Sequence, residues 1–395
     1  MFRKPTIDLD QTTDEFTYFV TSPQRVLVEK LHFCSWLFLD SREYLEVGLQ
    51  IKYDEPLKVK RPPVGVSLWI PWVCPTTKVH DMYPALKDSK NCRFIFNEAV
   101  DGTGYFDDGN ANTGVQFSFN NMDDLCVLPL AKGIKVDGGR IDLTIEVPDD
   151  KVVEVEHSRD VEVGQHLYVR MLIEIPESHF SFRQKGIAKT VYSYDVKVNE
   201  PRNHPNDDRF VLKQMCPIEY VFCLHIIPSK FSLSFLEEKA FKNVRILEKA
   251  RYENYVKPMK SLPPNVKKNE FLVVFNKRKV TAFKNDDGEA IQDDKIKSLP
   301  VSFFSVFEAE SVGHEQVVLA LLLNLGCSLF FYFITVGGCD NSPTVKVWVT
   351  LGVVSAVLII GSWLLVHKQI GFVKFLCSCV AIVAVLAALA WWVLP

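Results

Sequence analysis

The chain lacks most of the marks by which a protein declares its chemistry. Its 395 residues contain no Walker A loop, no His-Glu-x-x-His, no Gly-x-Ser-x-Gly and no EF-hand loop, which removes the P-loop, zinc-protease, α/β-hydrolase and calcium-loop classes that those motifs define. The cysteines of the first 310 residues, Cys34, Cys74, Cys92, Cys126, Cys216 and Cys223, include no Cys-x-x-Cys pair. Neither a zinc site nor a disulfide framework is indicated, and reduced thiols in β-cores are expected. No Asn-x-Ser/Thr acceptor for glycosylation occurs. The opening MFRKPTIDLDQTTDEF carries charges throughout, so no export signal is expected ahead of the N-terminal region. Neither sign of charge dominates. Lys and Arg number 45 against 48 Asp and Glu, a formal charge of −3, and no nucleic-acid partner is expected.

What the chain does have is a partition. Lys346, Lys368 and Lys374 are the only Lys or Arg residues after Glu315, so 45 − 3 = 42 lie before it. Three apolar stretches occupy this charge-poor end, at 317–336, 347–366 and 372–394. At 1.5 Å per residue each would cross a hydrocarbon core of about 30 Å. They predict three C-terminal transmembrane helices in a region at 315–395. Short connections would make neighbours antiparallel, and the Lys bias around the second connection would put the N-terminal region in the cytoplasm and the C-terminus on the outer face. Gly352 with Ala356, and Ala384 with Ala388, form small-xxx-small pairs suited to close helix packing. Asn324, polar in mid-span, would line a pore or bond within the bundle.

Before that region the pattern is β. Leu45, Val47, Leu49 and Ile51 alternate with Glu46, Gly48, Gln50 and Lys52, and similar alternation recurs from Val115, Ile141, Leu167, Tyr192 and Phe231. Asp137-Gly138-Gly139 marks a hairpin turn. The predicted fold is a mainly β cytoplasmic region, an antiparallel sandwich or barrel, followed by the three helices. A β-rich domain is expected over 1–200, with a second β or α+β unit and linker over 201–310. Within the second, a helix is predicted in Phe235–Lys257 and a last hairpin around Lys277-Arg278-Lys279.

Candidate chemistry is sparse. Asp101, Asp107, Asp108 and Asn110 form the densest acidic loop cluster, of a kind that can hold Ca²⁺ or another ligand. Gly102-Thr103-Gly104 opens like a dinucleotide loop but has Asp107 where the third glycine belongs. His80-Asp81 could orient an imidazole, and Trp36, Trp69 and Trp72 could wall a pocket. Lys277, Arg278, Lys279, Lys368 and Lys374 are candidate contacts to lipid headgroups. No catalytic residue and no cofactor is indicated. The expected partners are the lipid bilayer, further copies of the chain, and a cytoplasmic ligand or protein. The layout resembles that of cytosolic-sensor, membrane-effector proteins used in cell-suicide defence. The leading expectation is therefore a binding or sensor region that regulates an oligomerising three-helix effector. A membrane-tethered scaffold and a membrane-bound hydrolase are the alternatives.

Overall fold

The computed structural model describes residues 17–38, 42–52, 62–96, 98–106, 113–120, 123–130, 133–147, 152–156, 166–175, 181–185, 189–200, 214–236, 241–259, 262, 270–280 and 299–310. In chain order they form β1 Phe19–Thr21, β2 Leu27–Leu37, β3 Glu43–Lys52, β4 Val64–Trp69 and β5 Val79–Asp81, then helices α1 Tyr83–Leu86 and α2 Ser89–Phe96. Next come β6 Val100–Phe106, β7 Val115–Phe119, β8 Leu125–Val127, β9 Ile134–Asp137, β10 Arg140–Ile145, β11 Val152–Glu156 and β12 His166–Glu174. The remainder are β13 Ser181–Lys185, β14 Lys189–Val198, β15 Ile218–Pro228, β16 Phe231–Leu236, β17 Phe241–Ile246, helix α3 Lys249–Val256, β18 Phe271–Lys279 and β19 Val301–Glu310.

Among the described residues these strands make three sheets. The large one has the order β11-β6-β7-β8-β12-β3-β2-β15-β18-β17, with β5 on β12; the others run β1-β4-β10-β9 and β13-β14-β19-β16. Most neighbours are antiparallel, as alternating, hairpin-rich sequence favours. The pair β2 and β15 is parallel, and its register sets Phe222 beside His32 and Leu224 beside Cys34. One sheet therefore continues through strands on both sides of residue 200. At Asp137-Gly138-Gly139 the reversal is tight: Arg140 pairs Asp137, the Asp137 carboxylate accepts the Gly138 N–H at 2.8 Å, and Gly139 takes φ +72°. That angle suits glycine because a Cβ would be strained there.

The centre of the large sheet is buried on both faces. In β3 everything from Tyr44 to Ile51 is buried, although the polar half of its alternation predicts a solvated side. One face carries Leu31, Phe33, Leu45, Val47 and Leu49, each no more than 1 % exposed, and Tyr18 packs edge-on against Phe33 at 5.0 Å. The other carries the even-numbered residues. The helices cover it: Tyr252 of α3 lies 5.4 Å from Trp36, and Phe96 of α2 lies 4.7 Å from Tyr168, ring to ring. Asn91 Nδ2 donates to the Ala85 carbonyl at 2.8 Å and lies 3.4 Å from the Asn254 carbonyl, tying α2 to α1 and α3. Below them Asp81 accepts the N–H groups of Tyr83 at 2.9 Å and Leu130 at 2.7 Å, and burial raises its pKa.

Contacts divide the chain into two units, Met1–Phe182 with Ser193–Phe307, and Arg183–Tyr192 with Glu308–Pro395. In the second, Lys189 pairs with Glu308 at 2.9 Å and Arg183 lies over the Tyr192 ring at 5.4 Å.

Several expectations need correction. The described chain is mainly β, and its helices span at most 8 residues, about 12 Å where a bilayer core needs about 30 Å. No helix among the described residues is long and apolar enough to cross a membrane. The expected spans 317–336, 347–366 and 372–394 lie outside the described residues, so the structure gives the three-helix transmembrane fold no support. The multi-pass membrane localisation, with its cytoplasmic and outer faces, and the membrane-effector function lose their basis with it. Locally, the helix predicted over Phe235–Lys257 is the short α3 preceded by strand β17. Pairing of Val244, Arg245 and Ile246 with β18 overrides the helical spacing of Leu236, Ala240 and Val244. Lys277-Arg278-Lys279 is no turn. It continues β18, each residue paired to β15.

Candidate functional site

The strand registers set the helix-covered face out in rows. His32 on β2 sits between Phe222 on β15 and Gly48 on β3, and Gly48 sits opposite Arg170 on β12. One step along, Cys34 lies between Leu224 and Glu46. Residues far apart in the chain are thus adjacent, and four of them form a polar chain. Glu46 and Arg170 have 0 % and 2 % of their side chains exposed, with Arg170 Nη2 2.5 Å and Nε 2.7 Å from Glu46 Oε2. The same carboxylate accepts Trp36 Nε1 at 2.9 Å and the Tyr255 hydroxyl at 2.9 Å. Glu46 is therefore saturated with donors, which is what a buried carboxylate requires.

Arg170 Nη1 then donates to the Tyr168 hydroxyl at 3.0 Å, and that oxygen lies 3.1 Å from His32 Nδ1. Gly48 makes this reach feasible. A Cβ there would stand 2.2 Å from the Tyr168 hydroxyl oxygen, 2.9 Å from its ring and 3.3 Å from Arg170 Nη1. A glycine inside a strand is costly and marks a close approach, and here the phenol and the guanidinium lie over the space it leaves. Arg170 can only donate, so the Tyr168 hydroxyl accepts from it; toward His32 Nδ1 the hydroxyl donates in the Nε2–H tautomer and accepts in the Nδ1–H tautomer.

That Nε2 is buried and makes no hydrogen bond, in a residue 6 % exposed. Burial, then the charges of Arg170 and Lys30, lowers the His32 pKa well below 6.5, so the ring stays neutral. Burial also pushes the Tyr168 phenol up to about 12, against the pull of Arg170. His32 lines a cavity of about 140 Å³ together with Cys34, Trp36 and Arg170. Its aromatic walls are Phe96, Phe222 and Phe275, and Lys30 and Arg245 bring charge. Phe222 stands edge-on to His32 at 4.8 Å and 5.9 Å from Phe275. The site is thus a mainly aromatic and apolar space whose wall also carries Lys30, Arg245, Asn243 and the neutral ring of His32.

Beside it lies a second histidine. His166 Nδ1 is 2.7 Å from Glu29 Oε2, which also accepts Gln50 Nε2 at 2.8 Å. The hydrogen bond to Glu29 raises the His166 pKa above 6.5, against burial and with help from the charges of Glu29 and Asp123; Lys52 opposes. Burial pushes Glu29 up, but the hydrogen bonds of His166 and Gln50 outweigh it and leave the carboxyl below 4.5.

A further cluster looks catalytic and is sealed. Ser35 Oγ is 2.8 Å from His225 Nδ1, and Cys223 Sγ is 3.5 Å from Nε2. His225 is 0 % exposed, with the rings of Tyr194 and Phe307 at 4.8 and 5.4 Å. Burial drops its pKa to about 3 and raises that of Cys223, so no base and no thiolate is present.

Of the residues singled out from sequence, Trp36 lines the cavity, while Trp69 stacks on Phe19 at 5.1 Å and Trp72 donates to the Tyr18 hydroxyl at 3.0 Å. His80 pairs with Glu174 at 2.8 Å. Asp101 is exposed on β6, and Gly102-Thr103-Gly104 belongs to that same strand, paired with β7 and β11. Asp107, Asp108 and Asn110 lie outside the described residues, as do Asn324, Gly352, Ala356, Lys368, Lys374, Ala384 and Ala388. No group of three His, Cys, Asp or Glu able to hold a metal occurs among the described residues. Lys277 and Lys279 lie over the Tyr220 ring at 4.3 and 5.7 Å, whereas Arg278 lies over Phe303. Sequence reasoning missed His32, Gly48, Tyr168 and Arg170. A lone arginine within the apolar YVRMLI and a glycine within LEVGLQI were the signals.

Comparison of the chain with protein-family models finds no match, and comparison with curated proteins finds none either.

Two outcomes follow from this geometry. Gly48→Ala is expected to destabilise the protein by about 2–4 kcal/mol in urea unfolding, combining overpacking with loss of the Tyr168 hydrogen bonds. Gly138→Ala, with open space around it, is expected to shift stability by less than about 0.5 kcal/mol. Equal effects would mean that the Gly48 contact is not tight. The His166–Glu29 pair stabilises the fold below pH 6.5 through His166, a contribution lost as pH rises through its raised folded value, and above pH 4.5 through Glu29, lost as pH falls. By NMR, His166 should titrate above 6.5 and fall in Glu29→Gln; an unchanged midpoint would contradict the pairing.

Proposed function

We propose that the chain is a small-molecule-binding protein whose ligand, about the size of one six-membered ring, enters the cavity beside His32. The observation that carries this reading is the cavity itself, an aromatic-lined space that also meets His32, Asn243, Lys30 and Arg245. Size follows from volume: an apolar engineered cavity of about 150 Å³ takes benzene, close to the 140 Å³ here.

Binding suits the wall chemistry better than catalysis does. The thiol there, Cys34, is pushed up by burial and by the charge of Glu46, so it is not a thiolate nucleophile. Burial and the charges of Arg170 and Lys30 hold His32 well below its ordinary pKa, which leaves it a weak base. A few converging polar groups in an apolar hollow are typical of ligand sites.

The test is thermal unfolding of the full chain with a panel of one-ring probes (benzamide, benzyl alcohol, indole) against Leu224→Phe, which fills the cavity from β15. Wild type should gain stability with at least one probe, about 2.7 kcal/mol at 100 times Kd, and Leu224→Phe should lose most of that gain. An equal response from both proteins, or none from wild type, would refute the site.

A further inference from the structure

We infer that the open edge of β17 is a docking site for an extended, acidic peptide of another protein, which joins the large sheet there as one further strand. The site is separate from the cavity, because it is made of outward backbone groups and of the face of β17 turned away from that space.

The ladder fixes which backbone groups are open. β17 ends the large sheet and pairs only with β18 among the described residues. Leu247 N–H donates to the Phe271 carbonyl at 2.9 Å, and the next odd-numbered residues, Arg245 and Asn243, pair with Val273 and Phe275. In an antiparallel ladder, hydrogen-bonded pairs alternate with pairs that turn their polar groups outward. Leu247, Arg245 and Asn243 therefore bond inward, and the N–H and C=O of Val244 and Ile246 point away from β18. The register shift lies between Phe241 and Asn243. That bulge blunts the start of the edge, as bulges commonly do, and the stretch from Val244 to Ile246 runs on regularly beyond it.

The side chains agree with the backbone. Asn243 and Arg245 line the cavity, so Val244 and Ile246 project from the other face of the strand, where they are 44 % and 52 % exposed. An edge that combines outward polar groups with exposed branched side chains is a template for strand addition. In that mode main-chain hydrogen bonds give affinity and alternate side chains give specificity.

Charge selects the partner. Lys242 and Arg245 are the charged residues of β17, and Lys242 is exposed. Of the carboxylates that follow the strand, Glu248 lies 2.6 Å from Arg251 and Glu253 lies 3.4 Å from Lys249. A second copy of the chain, added edge to edge, would bring Lys242 and Arg245 of both strands together, and like charges across a strand pair repel. A strand that alternates acidic with β-branched residues instead meets the cations with opposite charge and meets Val244 and Ile246 with apolar surface.

The probes are two fluorescent seven-residue peptides, one alternating Glu with Val and the other alternating Lys with Val. Each is titrated into the full chain by fluorescence anisotropy, and amide hydrogen exchange is followed in the complex. The acidic peptide should bind about tenfold or more tightly than the basic one. It should protect the amides of Val244 and Ile246 and leave those of Arg245 and Leu247, already bonded to β18, as they were. Val244→Pro removes one outward donor, a change that sheet edges tolerate, and should weaken binding about tenfold or more; Lys242→Glu should bring the two peptides toward equal affinity. Equal binding of both peptides by wild type overturns the acidic assignment. No binding, or binding without new protection at Val244 and Ile246, overturns the edge site. Protection of these amides that grows with protein concentration in the absence of peptide assigns the edge to a second copy and overturns the partner. None of these results bears on the cavity, whose own test is independent.

Discussion

Two opposite charges, Glu46 and Arg170, lie side by side in the centre of the large sheet, with 0 % and 2 % of their side chains exposed. The organisation of the helix-covered face depends on them. Removing two ions from water costs several kcal/mol each, and their attraction roughly repays it only when every remaining donor and acceptor is met. Here Trp36 and Tyr255 complete the carboxylate, so the pair is satisfied without contributing much net stability. Its effect is positional. Loss of either partner would strand a buried charge, at a cost of about 3–5 kcal/mol, and so β3 and β12 are held in the register that sets Gly48 opposite Arg170.

From that register the site follows by short steps. Gly48 leaves room for the Tyr168 hydroxyl, the hydroxyl is oriented by Arg170, and His32 is oriented by the hydroxyl. The neutral imidazole lines a hollow walled by Phe222, Phe275 and Phe96. Each element of this arrangement is rigid: three of the four polar residues are on β-strands at the middle of a sheet buried on both faces, and the fourth is on the neighbouring strand β2. Such preorganisation lets a small ligand bind without first ordering its receptor.

The strands were legible in the sequence because alternation with period two survives any tertiary context in which one face is apolar. Leu45, Val47, Leu49 and Ile51 gave β3, and Asp137-Gly138-Gly139 marked the turn between β9 and β10, since few other residues close a hairpin so tightly. The same logic misled at Glu46, Gly48 and Gln50. As polar members of the alternation they read as a solvated side, whereas α1, α2 and α3 cover that face. The cavity itself was hidden by distance along the chain: the parallel pair of β2 and β15 brings Cys34 to Leu224, and no local pattern announces a parallel contact. The segment predicted as helix from Phe235 failed for a similar reason, because pairing of β17 with β18 decides its conformation. Of the loop carboxylates, Asp101 lies on a strand, and none of the acidic cluster approaches the cavity among the described residues.

The measurement that bears most directly on this account is the protonation state of His32, read from long-range ¹⁵N–¹H correlations of its imidazole in the labelled full chain. A neutral ring with its proton on Nε2, unchanged from about pH 5 to 8, is the expected result, since burial and two neighbouring cations hold off a second proton. A proton on Nδ1, or a titration near the ordinary 6.5, would mean that Arg170 and Tyr168 do not set the tautomer of the ring.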